Sequence, residues 1–116
     1  MRTHHPLMVA LLMVGLLATP AHAKTSEYTL TIERLPVNIT GKPIEKITVN
    51  GGIPAPTLRF TEGDEAVIHV TNKMDEPTSI HWHGLILPGA MDGVTGFNGY
   101  EAIKPGQTFT YRFPIK

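Results

Sequence analysis

From residue 24 onward, apolar positions recur at every second residue in short runs broken by Pro and Gly. They do not recur at the three- and four-residue spacing of an amphipathic helix. EYTLTIE, residues 27–33, places Tyr28, Leu30 and Ile32 on one face of an extended chain. IEKITV (44–49), TLRF (57–60), AVIHVT (66–71), SIHWHGL (79–85) and TFTYRF (108–113) complete a set of six expected strands. Between them stand turn signals: Gly51-Gly52 with Pro54 and Pro56, Glu62-Gly63-Asp64, the loop through Asp75, Glu76 and Pro77, a Gly-rich stretch over 88–100, and Lys104-Pro105-Gly106. The pattern predicts an all-β domain, an antiparallel sandwich or barrel. Such sandwiches carry about seven or more strands. The chain reaches Lys116 directly after a strand, so the sheet is expected to be incomplete at its C-terminal end.

The first 23 residues follow a different pattern. A weakly basic start (Arg2, His4, His5) precedes an apolar run from Leu7 to Ala18 and the small-residue exit Ala21-His22-Ala23. That is the layout of a cleaved export signal, and the run is shorter than the ~20 residues needed to cross a bilayer. No twin arginine precedes it. The reading is therefore a signal peptide over 1–23, a partial domain over 24–116, and a periplasmic or secreted location. Of the ten Lys and Arg, only Arg2 falls in the signal, which leaves nine against ten Asp and Glu. A near-neutral remainder without a basic cluster argues against nucleic acid and against membrane attachment once the signal is gone. The chain has no cysteine, so neither disulfides nor thiolate-bound metals, the type 1 blue-copper site included, can be built from it.

The candidate chemistry lies in TSIHWHGL, residues 78–85, where the chain's single tryptophan separates two histidines. On a strand, His81 and His83 share a face with ~7 Å between their Cα atoms, while Trp82 points into the core. A lone His-x-His is more often a solvated face than a site. Ile80, Trp82, Leu85, Ile86 and Leu87 nevertheless make the segment read as buried, where two unpaired imidazoles would cost roughly 1–3 kcal/mol each. Copper or zinc would satisfy both rings. A third donor is not evident. His69 shares a face with Glu65 and Thr71 and is expected to face solvent, and His4, His5 and His22 leave with the signal. Asp92 is the nearest carboxylate but a poor candidate for a direct ligand.

These residues carry a resemblance. VNGGIPAPTLRFTEGDEAVIHVTNKMDEPTSIHWHGL (49–85) and MDGVTGFNGYEAIKPGQTFTYRF (91–113) resemble, in order and spacing, the opening segment of a multicopper oxidase. The bacterial copper-resistance protein A group and its laccase-like relatives are the nearest in pattern. The resemblance implies a cupredoxin-like Greek-key β-sandwich and a copper cofactor. It makes His81 a ligand of the type 2 copper and His83 a ligand of the type 3 pair in a trinuclear cluster that reduces dioxygen with electrons from a reducing substrate. It also implies four copper-binding motifs, of which this chain has one: the second is expected just beyond Lys116 and the other two in missing C-terminal cupredoxin domains of the same protein, so this chain alone would not be catalytically complete. The alternatives are a non-catalytic periplasmic copper-binding module, or a truncated piece without function of its own. A cupin-type enzyme is disfavoured, because Leu85, Ile86 and Leu87 stand where a glutamate would follow the second histidine.

Overall fold

The computed structural model describes residues 23–116, so the expected export signal lies outside the described residues except for Ala23. Four strands form one sheet: β1 (Thr25–Asn38), β2 (Pro43–Val49), β3 (Glu65–Asn72) and β4 (Thr108–Pro114), in the order β2-β1-β3-β4. β1 is twice the expected length because it has two partners in succession. Its first half runs parallel to β3, from Thr25 opposite Glu65 to Ile32 opposite Asn72. Its second half runs antiparallel to β2, from Ile32 opposite Val49 to Asn38 opposite Pro43. β4 closes the other side, antiparallel to β3, with Ile68 opposite Tyr111.

Alternation decides which face is buried. Leu30 and Ile32 of β1, Ala66, Ile68 and Val70 of β3, and Tyr111 and Phe113 of β4 all point to one side and are nearly inaccessible. The opposing layer is irregular chain. Met74, Tyr100 and Ile103 complete the buried cluster, and Leu58, Phe60, Ile80, Trp82 and Leu87 pack against it. Two stretches expected as strands therefore belong to this layer without joining a ladder. Residues 57–60 are held by the Tyr28 hydroxyl, which donates to Arg59 O (2.8 Å) and accepts from Arg59 N–H (3.0 Å). Residues 79–85 join no ladder, and the backbone pairing beside them is the isolated bridge of Thr78 with Ile103. The far face of the sheet is not simply wet either. Val67 lies there and is buried, with Glu27 and Arg112 as its strand neighbours. His69 is half-buried on that face, Nε2 bonded to Glu27 (2.7 Å) and Nδ1 to Thr110 (2.8 Å). Its expected solvent exposure is corrected accordingly: both ring nitrogens are occupied by neighbouring strands.

Two asparagines shape the chain between strands. Asn50 and Gly51 both take positive φ (51° and 78°), the conformation of the tight turn that ends β2. The Asn50 side chain then bonds Thr31 N–H and Thr29 O, taking the place of a strand neighbour along β1. Asn72 is wholly buried at the end of β3. Its amide donates to Glu76 O and Ile103 O, both at 2.8 Å, and its carbonyl accepts from Met74 N–H at 2.9 Å. All four hydrogen-bonding directions of that side chain except one lone pair are thus used, which fixes the start of the long excursion between β3 and β4. Replacing Asn72 by Ala removes three hydrogen bonds: the buried Met74 amide and the Glu76 carbonyl lose this partner, while the Ile103 carbonyl keeps only the Thr78 amide. Asn72→Ala is expected to lower the unfolding free energy by about 2–4 kcal/mol, read by urea denaturation. A change below about 0.5 kcal/mol would remove Asn72 from this role.

Candidate metal centre

The histidine segment is suspended over the sheet by a few bonds. Thr78 and Ile103 exchange backbone hydrogen bonds at 3.1 and 2.8 Å. Two residues on, Ile80 N–H donates to the Tyr111 hydroxyl at 3.1 Å, and that hydroxyl shares a 2.6 Å bond with the Tyr100 hydroxyl. Trp82 then turns into the core, edge-on to Tyr111 with ring centroids 5.3 Å apart and beside Phe113 at 5.7 Å. Its Nε1 is buried and meets no hydrogen-bond partner among the described residues, so the residue is held by packing. Leu85 N–H returns to Trp82 O at 3.3 Å in a tight turn where Gly84 has φ 82°.

With Trp82 driven inward, His81 and His83 are left together on the outside. Their ring centroids lie 5.5 Å apart with planes at 75°. The expectation of two neighbouring imidazoles with the tryptophan facing the other way therefore describes the arrangement, although no strand ladder provides it. The expected burial does not hold. The His81 side chain is 42% exposed, His83 is exposed, and Ile86 is 74% exposed beside Leu85. Ile80, Trp82 and Leu87 are the apolar residues that face the core, so the cost of burying unpaired imidazoles does not apply here.

A hydrogen bond supplies a more specific indication. His81 Nδ1 lies 2.7 Å from the backbone carbonyl of Asp92. A carbonyl only accepts, so Nδ1 carries the proton and the lone pair of the neutral ring sits on Nε2. A ring held in this way, one N–H on a carbonyl and the other nitrogen open, is the usual state of a metal-ligating histidine. The Asp92 carboxylate is 3.5 Å from the same Nδ1, so the atom that meets His81 is the backbone oxygen. Among the described residues, no group of three or more His, Cys, Asp or Glu side chains gathers around one point. The two imidazoles fit copper or zinc by donor type and are two donors of the three or more that either metal takes.

The multicopper oxidase model matches residues 31–116. The chain belongs to the multicopper oxidase family. Among curated multicopper relatives, the copper resistance protein A homolog of Pseudomonas syringae pv. tomato is 50% identical over 91 residues, covering 78% of this chain and 15% of that protein. Copper resistance protein A of Escherichia coli is 45% identical over 100 residues, covering 86% of this chain and 16% of that protein. The crystal structure of a multicopper oxidase from Pseudomonas thermotolerans superposes with a TM-score of 0.76 at 35% identity, over 81% of this chain and 23% of the other. A laccase structure from Botrytis aclada gives 0.74 at 38% identity, over 80% and 18%. The chain thus spans about one sixth of the length of the curated relatives. Its fold is the all-β, cupredoxin-like fold of these oxidases, and copper is the family cofactor.

Sequence reasoning did not single out Tyr111, Asn72 or the Asp92 carbonyl. The residue pattern holds no trace of the last, which is a backbone atom. Burial, the hydrogen bond to Tyr111 and the nearness of that phenol hold the Tyr100 hydroxyl far above its ordinary range. Burial raises Tyr111 as well, against lowering by its bonds to Tyr100 and the Ile80 amide. The folded chain therefore keeps these protons more tightly than the unfolded chain, which releases them above about pH 10. Their contribution is fully present below that pH and is lost as pH rises beyond it. The double substitution Tyr100→Phe with Tyr111→Phe is expected to cost about 1–3 kcal/mol at neutral pH and to flatten the alkaline loss of stability in urea unfolding. Parallel pH curves for the two proteins would contradict this.

Proposed function

We propose that the chain is the N-terminal part of an exported, periplasmic multicopper oxidase that oxidises phenols or metal ions, reduces dioxygen to water and serves copper tolerance. In this reading His81 is a ligand of the type 2 copper and His83 a ligand of the type 3 pair. Later cupredoxin domains of the same polypeptide supply the remaining donors, the type 1 copper and the substrate site. The observation that carries it is the paired, outward-facing imidazoles with the His81 proton fixed on Nδ1. Similarity to proteins named copper resistance protein A and laccase supports the copper chemistry and the link to tolerance. The signal-like first 23 residues support export.

Within that scheme copper held in part by His81 and His83 would supply the redox chemistry by which dioxygen is reduced. The chain's own part is to hold two neutral imidazoles at fixed separation, with Trp82 and Tyr111 beneath them as an apolar support. The exposure of both rings, with two donors at hand, favours a second reading: a non-catalytic copper-binding module completed by solvent or a partner.

Oxygen uptake by the polypeptide expressed from the whole reading frame separates the two, and copper titration of the 116-residue chain tests the two ligands. His81→Ala and His83→Ala are each expected to lower copper affinity by more than the roughly 10- to 100-fold that loss of an outer-shell partner costs. In the polypeptide expressed from the whole reading frame, each is expected to reduce oxygen uptake with a phenol to background. Unchanged uptake would remove these residues from the cluster. If the codons after Lys116 encode no further His-x-His and no Cys-His motif, the oxidase reading fails and the module reading stands.

A further inference from the structure

Gly93 lies against the backbone of the histidine segment. A Cβ on Gly93 would sit 1.8 Å from Ile80 O, 2.6 Å from Ile80 C and 3.2 Å from His81 Cα. Nothing flexible takes part in that contact, because it is backbone against backbone. Gly93 also holds φ at 77°, a region that L side chains rarely adopt. The residue before it supplies the carbonyl that takes the His81 Nδ1 proton at 2.7 Å. With any side chain at position 93, the loop would have to retreat by more than 1 Å to reach even the 3.0 Å floor of real Cβ contacts. Asp92 would move with it, and a 2.7 Å bond lengthened by that much passes ~3.5 Å, where it ceases to be a hydrogen bond.

We infer that Gly93 is a positioning residue for copper: by permitting contact with Ile80 it seats the Asp92 carbonyl on His81 Nδ1 and so presents Nε2 as the donor. The inference rests on the reading of His81 as a copper ligand and assigns what orients that ligand. The loop contains its own control. Gly96 and Gly99 have φ of 77° and 75°, yet a Cβ on either would meet nothing within 4 Å. Substitution at Gly96 introduces the same backbone strain as at Gly93 without displacing Ile80.

The test uses the whole chain labelled with 15N at histidine, first without metal and then titrated with Cu(II) alone. Wild type is expected to hold His81 with the proton on Nδ1. Gly93→Ala is expected to shift the ring toward the Nε2-protonated or mixed form and to weaken Cu(II) binding by about 10- to 100-fold. Gly96→Ala is expected to keep both the wild-type tautomer and the wild-type affinity. Three results would overturn the inference: a wild-type proton on Nε2, a Gly93→Ala variant with unchanged tautomer and affinity, or equal losses in both glycine variants. If Gly93→Ala fails to fold while Gly96→Ala folds, the clash with Ile80 is the difference, and the wild-type tautomer decides the rest. Unchanged Cu(II) affinity in His81→Ala, with the tautomer results as expected, would instead sink the ligand reading and leave the positioning of the ring in place.

Discussion

Buried polar side chains that stand in for strand neighbours hold this domain's histidine segment in place. Asn72 ties the end of β3 to Ile103, Ile103 pairs with Thr78, and the Tyr111 hydroxyl takes the Ile80 amide. Each of these backbone groups would be costly to leave without a partner beneath an apolar layer. A sheet ladder would satisfy them in a repeating pattern and would give the segment the geometry of a regular strand. Side-chain partners satisfy them one at a time. The chain is thereby free to turn Trp82 inward and leave both histidines at the surface.

The histidine pair inherits its order from that arrangement. Trp82 is wedged against Tyr111 and Phe113, which sit on the same face of β4 as the buried residues of β3. The loop over residues 88–100 then approaches from the other side, close enough at Gly93 to touch Ile80 and to offer the Asp92 carbonyl to His81. Sheet, tryptophan and loop thus fix the His81 ring from below and from the side before any metal arrives. That is the condition under which ligand affinity is not spent on ordering the ligand.

Much of this was legible from the residue pattern. β2, β3 and β4 lie within two residues of the runs that predicted them, because β4 alternates, β2 and β3 are rich in Ile, Val and Thr, and all three carry Gly, Pro or Asn at or beside their ends. The His81 and His83 pairing was legible from spacing, and the family from joined motifs. β1 outran its expectation because the second half, Arg34 to Asn38, is placed by hairpin pairing with β2, the next strand, and its own residues do not carry the alternation of the first half. Residues 57–60 and 79–85 have the apolar content of strands but find a hydroxyl or an isolated bridge where a ladder was expected. His69 looked solvated because its partners, Glu27 and Thr110, are about forty residues away on either side. The Asp92 carbonyl is a backbone atom, so no pattern of side chains could have announced it.

Everything here turns on whether the histidine segment is ordered by the protein and not by the metal. Amide hydrogen exchange on the metal-free chain reads this directly. The Thr78 and Ile80 amides are expected to exchange as slowly as those of Ile68 and Val70 in β3, because they open only with the fold. Exchange at Thr78 and Ile80 as fast as in an exposed loop, slowed only when copper is added, would contradict a preformed site.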